Sequence, residues 1–374
     1  MILIVDSFFT GSHQYWGKEL KKRLPFEVEL LTLSGKFWKW RMEAGAIELA
    51  EKFKKLNKKP NCIIATDMVN IPLFYAYAGI TIDRIPCIMY FHENQFSYPL
   101  SKKDTDIKEG RDNHYGFINL SSALFTKNLV FNSLFNQKSF FDGCLKLFKK
   151  LPNHKLKNDF DRLKSRIIYP GIESNPIVKE SKNKPKMHTI LWNHRWEHDK
   201  NPDLFLKGIT ALQKKKIPFK LIITGKGTEK NEVKRIINAQ FHNELIHCGY
   251  CENKNEYLTL LQQATLLPVT SKHDFFGISV AEAMDAGCFA ILPNHQAYPE
   301  HLENNFKSGV LYDYPEGFYE ALIQSVGNDV VSATSTSSFY WEAIIAEWTE
   351  LLQTIEQAHS SSLTIDTHTP YKRI

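Results

Sequence analysis

Two carboxylates lie on either side of a glycine turn in the segment from His273 to Gly287. Asp274 precedes the turn at Gly277, and Glu282 lies in the helix that the following pattern predicts. A short apolar run leads into the segment, so the predicted order is strand, loop, helix. Helix N-termini at the carboxyl ends of parallel strands bind anions through free N–H groups. A sugar nucleotide, with phosphate in the middle and hydroxyls at both ends, fits this arrangement.

Two cations follow an earlier predicted strand of the same half. Arg195 and Lys200 lie in the loop after it, and Asp199 or Asn201 is expected to cap a helix that begins at Pro202. A guanidinium and an ammonium together can neutralise a diphosphate. Taken alone, the stretch would favour a basic surface loop. Its place in the same domain as the acidic turn favours phosphate binding.

Glycines mark two further turns at strand ends. Gly225 and Lys226 belong to a Gly-Lys-Gly turn, which is typical either of nucleotide binding or of a tight strand-to-helix connection. Gly11, Ser12 and His13 follow the first strand, and the glycine permits close approach of a ligand to the backbone.

His92 opens a run of four polar residues, His-Glu-Asn-Gln, directly after the fourth predicted strand. A buried histidine with satisfied hydrogen bonds is the ordinary interpretation of such a residue. The carboxyl end of a parallel strand is where ligands of open α/β sheets bind, and this position favours a functional role.

Strand and helix patterns alternate through both halves, which predicts an α/β fold with two Rossmann-like domains facing each other across an interdomain cleft. A length of 374 residues is enough for two domains. The predicted divisions are an N-terminal acceptor domain (1–172), a linker (173–187), a C-terminal donor domain (188–336), a helix expected to cross back to the first domain (337–357) and a flexible tail (358–374).

Composition is that of an ordinary globular protein, with 43% hydrophobic and 24% charged residues and a net charge of +6. No apolar stretch approaches the roughly 20 residues that span a bilayer, and the first strand does not resemble a secretory leader. We therefore expect a cytoplasmic protein without a membrane span. Cys248 and Cys251, beside His247, have the spacing of a metal or redox pair, but a strand end and turn that contain two thiols is the favoured interpretation.

The segment from Lys146 to Arg166 is strongly basic. Such a cluster is typical of a phosphate-binding track on a nucleic-acid-binding protein. It is equally typical of a solvated helix and loop, and the sequence leaves both interpretations open.

The motifs together resemble the retaining GT-B glycosyltransferases of family 4. More specifically, four segments are similar to the tRNA-queuosine α-mannosyltransferase group: Gly11–Trp16, His92–Gln95, Phe131–Ser133 and His273–Gly277. The resemblance implies transfer of mannose from GDP-mannose to queuosine in the anticodon of the tRNA for aspartate. The implied partners are therefore a nucleotide sugar and a tRNA.

The resemblance also implies roles for matching residues. Arg195 and Lys200 would hold the donor diphosphate, Glu282 would bond the ribose hydroxyls, and Asp274 would face the sugar hydroxyls. Because the two cations supply positive charge, no metal or other cofactor is expected. Family 4 usually has glutamate where this chain has Asp274, so the carboxylate is set back by one methylene.

In the other domain, Gly11, Ser12 and His13 would line the phosphate side of the donor, and His92 would lie beneath the anomeric carbon. Further donor contacts are expected from Gly225, Lys226, Tyr250, Phe276, Gly277 and Ile278.

Three alternatives differ from this hypothesis in acceptor or in chemistry. The same fold can glycosylate a lipid or a small metabolite, and the helical segment from Phe140 to Lys150 offers an apolar and basic face for a lipid. A non-catalytic RNA-binding protein could also retain the fold, although both cations and both acids argue against it. A phosphorylase or a nucleotide-sugar epimerase is a further alternative.

Overall fold

The chain folds into two compact units, which the computed structural model describes for residues 1–99, 113–151, 156–174, 187–225, 227, 232–302, 308–327 and 337–366. The first unit combines Met1–Pro170 with Glu342–Ile374, and the second is Gly171–Trp341. Most of the predicted linker 173–187, and Lys226, lie outside the described residues.

A parallel six-stranded sheet forms the centre of the first unit, in the order β2-β1-β3-β4-β5-β6. Its strands are β1 (Ile2–Phe9), β2 (Val28–Ser34), β3 (Cys62–Thr66), β4 (Cys87–Phe91), β5 (Asn128–Phe131) and β6 (Lys164–Ile167). Strands β3 and β4 are buried throughout. Uninterrupted apolar strands are typical of a parallel sheet covered by helices on both faces.

The helices of the first unit are α1 (Gly11–Arg23), α2 (Trp38–Lys54), α3 (Ile71–Ala78), α4 (His114–Thr126), α5 (Leu134–Phe148), α6 (Leu156–Phe160) and α12 (Trp341–Asp366). Side-chain caps begin two of them. The side chain of Asn70 accepts a hydrogen bond from the backbone amide of Leu73 at the start of α3. The hydroxyl of Ser133 accepts one from the backbone amide of Asn136 at the start of α5.

The second unit repeats the scheme with a parallel sheet in the order β12-β11-β10-β7-β8-β9. Its strands are β7 (His188–Trp192), β8 (Phe219–Ile223), β9 (Leu245–Cys248), β10 (Leu266–Pro268), β11 (Phe289–Pro293) and β12 (Gly309–Tyr312). Its helices are α7 (Pro202–Lys214), α8 (Glu232–Gln240), α9 (Lys254–Gln263), α10 (Ile278–Asp285) and α11 (Phe318–Gly327).

Helix α7 begins at Pro202 as predicted, but the expected side-chain cap is wrong. Asn201 occupies the cap position in a left-handed conformation and makes no capping bond. Its side-chain amide instead donates to the Tyr314 hydroxyl at 2.6 Å. The Asp199 carboxylate contacts the ammonium of its neighbour Lys200, so neither polar side chain caps the helix.

Helix α12 corrects the predicted start of the tail. The helix continues to Asp366, past the predicted end at residue 357, and residues 367–374 lie outside the described part of the chain. Trp348 on this helix packs within the first unit against Trp16 and Tyr90, at ring-centroid distances of 6.0 and 5.6 Å. Three aromatic side chains thus join the last helix to helix α1 and strand β4.

The basic segment from Lys146 to Arg166 is not one surface helix. It contains the end of α5, the short α6 and the edge strand β6, and residues 152–155 lie outside the described residues. Arg166 on β6 lies 3.9 Å from the carboxylate of Glu350 on α12. Part of the positive charge of the segment is therefore paired with a carboxylate of the first unit.

Candidate functional site

Lys200 is the most strongly bound side chain of the second unit's site. Its ammonium donates to the Asp274 carboxylate at 3.0 Å and to the His273 carbonyl at 3.0 Å, and it lies 3.2 Å from Asp199. A lysine has three N–H donors, so all three have an acceptor. Burial alone would lower the pKa of Lys200, but the two carboxylates outweigh it and raise the pKa.

Asp274 lies between a cation and a phenol. Its Oδ2 accepts hydrogen bonds from Lys200 and from the Tyr298 hydroxyl, the latter at 3.1 Å. Burial alone would raise the pKa of this carboxyl, but the neighbouring ammonium holds it below its ordinary value. The carboxylate is therefore ionised and fixed in direction.

Glu282 lies one helical turn into α10 and is held by a second chain of contacts. The Tyr257 hydroxyl donates to its Oε2 at 3.2 Å. The side-chain amide of Asn193 donates to that hydroxyl at 3.3 Å and to the Ser279 carbonyl at 2.7 Å. Burial raises the pKa of Glu282 to about 7.

The loop after β7 therefore reaches both carboxylates, through Lys200 at one end and Asn193 at the other. Two buried polar atoms of this loop, Asn193 Oδ1 and His194 Nε2, have no hydrogen-bond partner among the described residues. Burial, followed by the charge of Lys200, lowers the pKa of His194 to about 4, so its ring is neutral. Unpaired buried polar atoms are rare and often belong to ligand sites.

Arg195 does not join this cluster. Its side chain is 63% exposed and its guanidinium contacts Glu197 at 3.1 Å. An exposed arginine held by one exposed carboxylate is free to turn towards an anion, because such surface pairs contribute little energy.

The turn into α10 leaves a helix N-terminus open. Gly277 has a φ of +88°, which suits glycine, and no side chain caps the helix that begins at Ile278. The preceding carbonyl, of Phe276, accepts a hydrogen bond from His301 at 2.7 Å. Uncapped N–H groups and the helix dipole favour an anion at this position.

Two of the other predicted donor contacts have different surroundings. Gly225 is buried, and a Cβ there would lie 1.5 Å from the His194 carbonyl oxygen, so the glycine permits close packing of two loops. Its own carbonyl accepts the Trp196 indole N–H at 3.1 Å. Tyr250 is exposed in the loop after β9.

The Cys248 and Cys251 pair lies at the end of β9 and in the turn after it, as predicted, and both are free thiols. Cys251 Sγ lies 3.4 Å from His247 Nε2, which also contacts the Gly249 carbonyl at 3.0 Å. Donor atoms of His247, Cys251 and Glu256 lie within 4.8 Å of one another.

The first unit contains a separate buried cluster at the carboxyl ends of β1 and β4. Gly11 and Ser12 are exposed at the start of α1, whereas His13 is buried. His13 Nδ1 lies 2.9 Å from Asp6 Oδ2. Burial acts to lower the pKa of His13, but Asp6 and other carboxylates outweigh it and raise the pKa to about 9. This imidazole is therefore protonated at neutral pH.

His92 stacks on His13 with ring centroids 3.9 Å apart. Burial and the charge of His13 hold the pKa of His92 well below its ordinary value, so the stack pairs a cation with a neutral ring. His92 Nε2 is buried and has no partner among the described residues. The backbone amide of His92 donates to Asp67 Oδ1 at 2.8 Å. Burial raises the pKa of Asp67 well above its ordinary value.

Amide side chains link the loop that follows His92 to the residue after β5 and to the start of α5. Asn132 donates to the His92 carbonyl at 2.7 Å, and Asn136 donates to Asn132 at 2.8 Å. Asn94 in turn donates to Asn136 at 2.8 Å. A fully bonded buried network of this kind makes the loop rigid.

The predicted residues thus fall into two groups. The second unit brings Lys200 into contact with Asp274 and connects Glu282 to the same loop, while the first unit stacks His13 on His92. Sequence reasoning missed the side chains that hold these residues: Asp6, Asp67, Asn119, Asn136, Asn193, Tyr257 and Tyr298. Asn119 shows why. It lies in the middle of a helix, accepts a hydrogen bond from the Gln95 backbone amide and donates one to the Asp67 carbonyl, and both partners are distant in sequence.

Two parallel six-stranded sheets, with the polar site of the second unit at the carboxyl ends of its strands, are typical of the GT-B fold. The protein HepE from Anabaena, solved in complex with UDP, has a similar structure, with a TM-score of 0.65, 15% identity and coverage of 94% of this chain and 99% of that one. Residues 174–329 match the family described as glycosyl transferases group 1. The predicted α/β GT-B fold and glycosyltransferase class are confirmed.

Residues 1–172 match the family described as tRNA-queuosine alpha-mannosyltransferase N-terminal. A Drosophila melanogaster protein with the name tRNA-queuosine alpha-mannosyltransferase is 31% identical over 314 residues, which cover 80% of this chain and 81% of that protein. The chain belongs to the tRNA-queuosine α-mannosyltransferase family. The GDP-mannose:cellobiosyl-diphosphopolyprenol alpha-mannosyltransferase of Xanthomonas oryzae is 27% identical over 129 residues, 34% of each chain.

Among the described residues, no helix combines the length and the apolar character needed to cross a bilayer.

Proposed function

We propose that this glycosyltransferase transfers mannose from GDP-mannose to queuosine in the anticodon of a tRNA for aspartate, with retention of the anomeric configuration. The N-terminal family match and the Drosophila relative support the acceptor and the sugar. The name of the Xanthomonas relative, which matches about a third of the chain, supports the donor.

The geometric observation that carries the proposal is the Lys200–Asp274 pair beside the uncapped start of α10. The donor diphosphate lies at this helix start, where N–H groups point outwards. The Glu282 carboxylate then accepts hydrogen bonds from the ribose hydroxyls, and the Asp274 carboxylate accepts hydrogen bonds from hydroxyls of the sugar. Phe276, Gly277 and Ile278 contact the donor mainly through their backbone.

Arg195 is the first cation to bind the diphosphate, because every donor of Lys200 already has an acceptor. Lys200 reaches phosphate by releasing one acceptor, and Asp199 is the more exposed of its two carboxylates. Meanwhile the ammonium keeps Asp274 ionised. These two cations supply positive charge that a metal ion would otherwise provide, and we propose a reaction without a metal.

Bond breaking separates charge, and preorganised groups lower the barrier as that charge grows. The bond between the anomeric carbon and the phosphate oxygen breaks, leaving an oxocarbenium-like sugar. The acceptor hydroxyl attacks from the leaving-group side and its proton passes to the departing phosphate oxygen. The diphosphate gains negative charge as the C–O bond breaks, before the proton arrives, and Arg195 and the α10 dipole stabilise that charge.

In the first unit, we propose that the unpaired Nε2 of His92 bonds a hydroxyl of the mannose. Asn132 and Asp67 already bind the carbonyl and amide of this residue, so the ring is the part left to contact the sugar. The protonated His13 adds positive charge beside it, and Gly11 and Ser12 offer exposed backbone to phosphate.

Labelled donors offered to a mixture of acceptors test the proposal. The protein is incubated with labelled GDP-mannose, GDP-glucose or UDP-glucose in the presence of total RNA and total lipid. We expect label from GDP-mannose in the RNA fraction. Label that enters lipid instead, or that enters RNA equally from a UDP-sugar, would reject the proposed acceptor or donor respectively.

A further inference from the structure

Three side chains of types that bind metal ions meet between β9 and α9 of the second unit. His247 lies in β9, Cys251 lies in the turn that follows, and Glu256 lies in the first turn of α9. One donor atom of each lies within 4.8 Å of the other two. His247 and Cys251 are half-buried and Glu256 is exposed, so an ion from solvent can reach the cluster.

The other thiol of the sequence motif, Cys248, is not part of this cluster. Cys248 packs against the apolar core that contains Phe219, whereas Cys251 packs against the core that contains Leu261. Successive residues of a strand also point to opposite faces, so the side chains of His247 and Cys248 diverge. The two thiols therefore face different cores, and only Cys251 accompanies the histidine and the carboxylate.

The nitrogen and the sulfur lie at the spacing that a bound zinc ion requires. His247 Nε2 lies 3.4 Å from Cys251 Sγ. Tetrahedral zinc, at about 2.0 Å from a histidine nitrogen and about 2.3 Å from a thiolate sulfur, separates these two atoms by about 3.5 Å. In the free protein the same nitrogen contacts the Gly249 carbonyl at 3.0 Å, so an ion replaces that contact.

The charges around the cluster favour a cation. Burial, followed by the charge of Glu256, raises the pKa of the Cys251 thiol, so the thiolate and the carboxylate oppose each other. Among the described residues, no lysine or arginine forms an ion pair with Glu256, and the nearby Lys254 contacts Glu173 at 3.8 Å. A divalent ion binds a thiolate and a carboxylate together and removes their repulsion.

We propose that His247, Cys251 and Glu256 form a zinc site that fixes the turn between β9 and α9. Nitrogen, sulfur and carboxylate donors suit Zn²⁺, whereas Mg²⁺ and Ca²⁺ prefer oxygen ligands. Glu256 directly precedes Tyr257, whose hydroxyl donates to Glu282, so the ion also fixes the start of the helix that holds this carboxylate. The ion is structural and takes no part in the transfer, and the inference does not depend on the proposed donor or acceptor.

Titration of the metal-free full-length protein with Zn²⁺, in competition with a chromogenic chelator, tests the site. We expect one ion per chain with a Kd of about 1 μM or lower. The Tm should rise with Zn²⁺, because the ion binds the folded chain. Binding releases the thiol proton to solvent, so the affinity should increase with pH. Co²⁺ in place of Zn²⁺ should give a thiolate-to-metal charge-transfer band.

Cys251→Ser should weaken Zn²⁺ binding by at least about 10-fold, which is the cost of losing even an outer-shell partner of a metal site. His247→Gln should do the same. Cys248→Ser is the matched control, since it removes a half-buried thiol of the same motif, and it should keep the affinity and the Co²⁺ band of the parent. The Tm of each metal-free variant shows that it is folded.

A parent protein that does not bind Zn²⁺, or an equal loss of affinity in Cys248→Ser and Cys251→Ser, would overturn the zinc site. A Co²⁺ complex of the parent without the charge-transfer band would also overturn it, because the thiolate would not be a ligand. Transfer that stops when the ion is removed from a protein that stays folded would overturn the structural role.

Discussion

The two units hold their site residues in opposite ways. In the second unit, opposite charges meet: Lys200 has three acceptors, and Asp274 has both an ammonium and a phenol. In the first unit, a protonated His13 lies against a neutral His92 whose Nε2 has no partner among the described residues. The first arrangement fixes a carboxylate, and the second leaves a ring nitrogen ready for a new hydrogen bond.

This difference separates positioning from contact. An ammonium whose N–H donors all have acceptors mainly holds its neighbours in position. A buried nitrogen without a hydrogen-bond partner gains a bond when a ligand binds, and so contributes mainly to ligand binding. We therefore expect substitutions in the second unit's pair to affect stability and activity together, and substitution of His92 itself to affect mainly activity.

The largest effect is expected from Lys200→Ala. Removing the ammonium leaves Asp274 buried without its cation, which costs about 3–5 kcal/mol of unfolding free energy. Transfer falls by roughly 10²–10³-fold, as for loss of a preorganised charge. Denaturant unfolding and initial rates measure both, and Lys207→Ala on the exposed face of α7 is the control. A variant with normal stability would contradict the structural part of this account.

Arg195→Ala sharpens the contrast within the second unit. We expect a loss of transfer of about 10²-fold with an unchanged Tm, because the guanidinium is exposed and paired only weakly. Steady-state kinetics and thermal unfolding on the same preparation measure the two. Activity equal to that of the parent would remove Arg195 from the diphosphate site.

Asn132→Ala tests the amide network of the first unit. The change leaves the buried His92 carbonyl without its donor at a cost of about 1–3 kcal/mol. Displacement of the loop is expected to reduce kcat by about 10-fold to 100-fold. Asn128→Ala, at the half-buried first residue of the strand that Asn132 follows, serves as the comparison. Equal effects of the two changes would show that the network does not position His92.

The pH dependence of donor binding reports on Glu282. Hydroxyls donate to the ionised carboxylate, and burial places its pKa at about 7 in the free protein. Donor affinity is therefore expected to rise with pH through 7 and to fall about tenfold per pH unit below it. Isothermal titration calorimetry with GDP should show this slope in the parent. The same slope in Glu282→Gln would assign it to another group.

The smallest effect is a pH dependence of stability from His13. Its folded pKa of about 9 lies above the ordinary 6.5, so the stabilisation is complete below 6.5 and is lost as pH rises through 9. We expect the Tm to decline over this range by more in the parent than in His13→Gln. Parallel Tm curves for the two proteins would exclude a protonated His13.

Local patterns predicted much of the fold. The start of helix α7 was predicted to the residue because Pro202 marks it, and the alternation of strands and helices predicted two parallel sheets. Strand β6 was missed because its side chains, including Lys164 and Arg166, are mostly exposed and polar. Helix α3 was missed because its uncharged sequence lacks an amphipathic period.

The site was predictable only where its chemistry is local in sequence. Asp274 and Glu282 surround a turn, and His92 follows a strand, so each could be identified from its neighbours. Their supports could not be, because Tyr257 and Asn193 meet 64 residues apart in sequence and Asn132 reaches His92 across 40. Single asparagines and tyrosines form no repeating pattern in the sequence. Their partners can be identified only when the fold is known.

The most direct test of the central claim compares two tRNA preparations that differ in one nucleoside. Purified protein is incubated with GDP-mannose and tRNA for aspartate, isolated either with queuosine or with unmodified guanosine at that anticodon position, and the nucleosides are analysed by mass spectrometry. We predict that a hexose is added to queuosine alone. Equal modification of both tRNAs, or of neither while another acceptor gains mannose, would contradict the account.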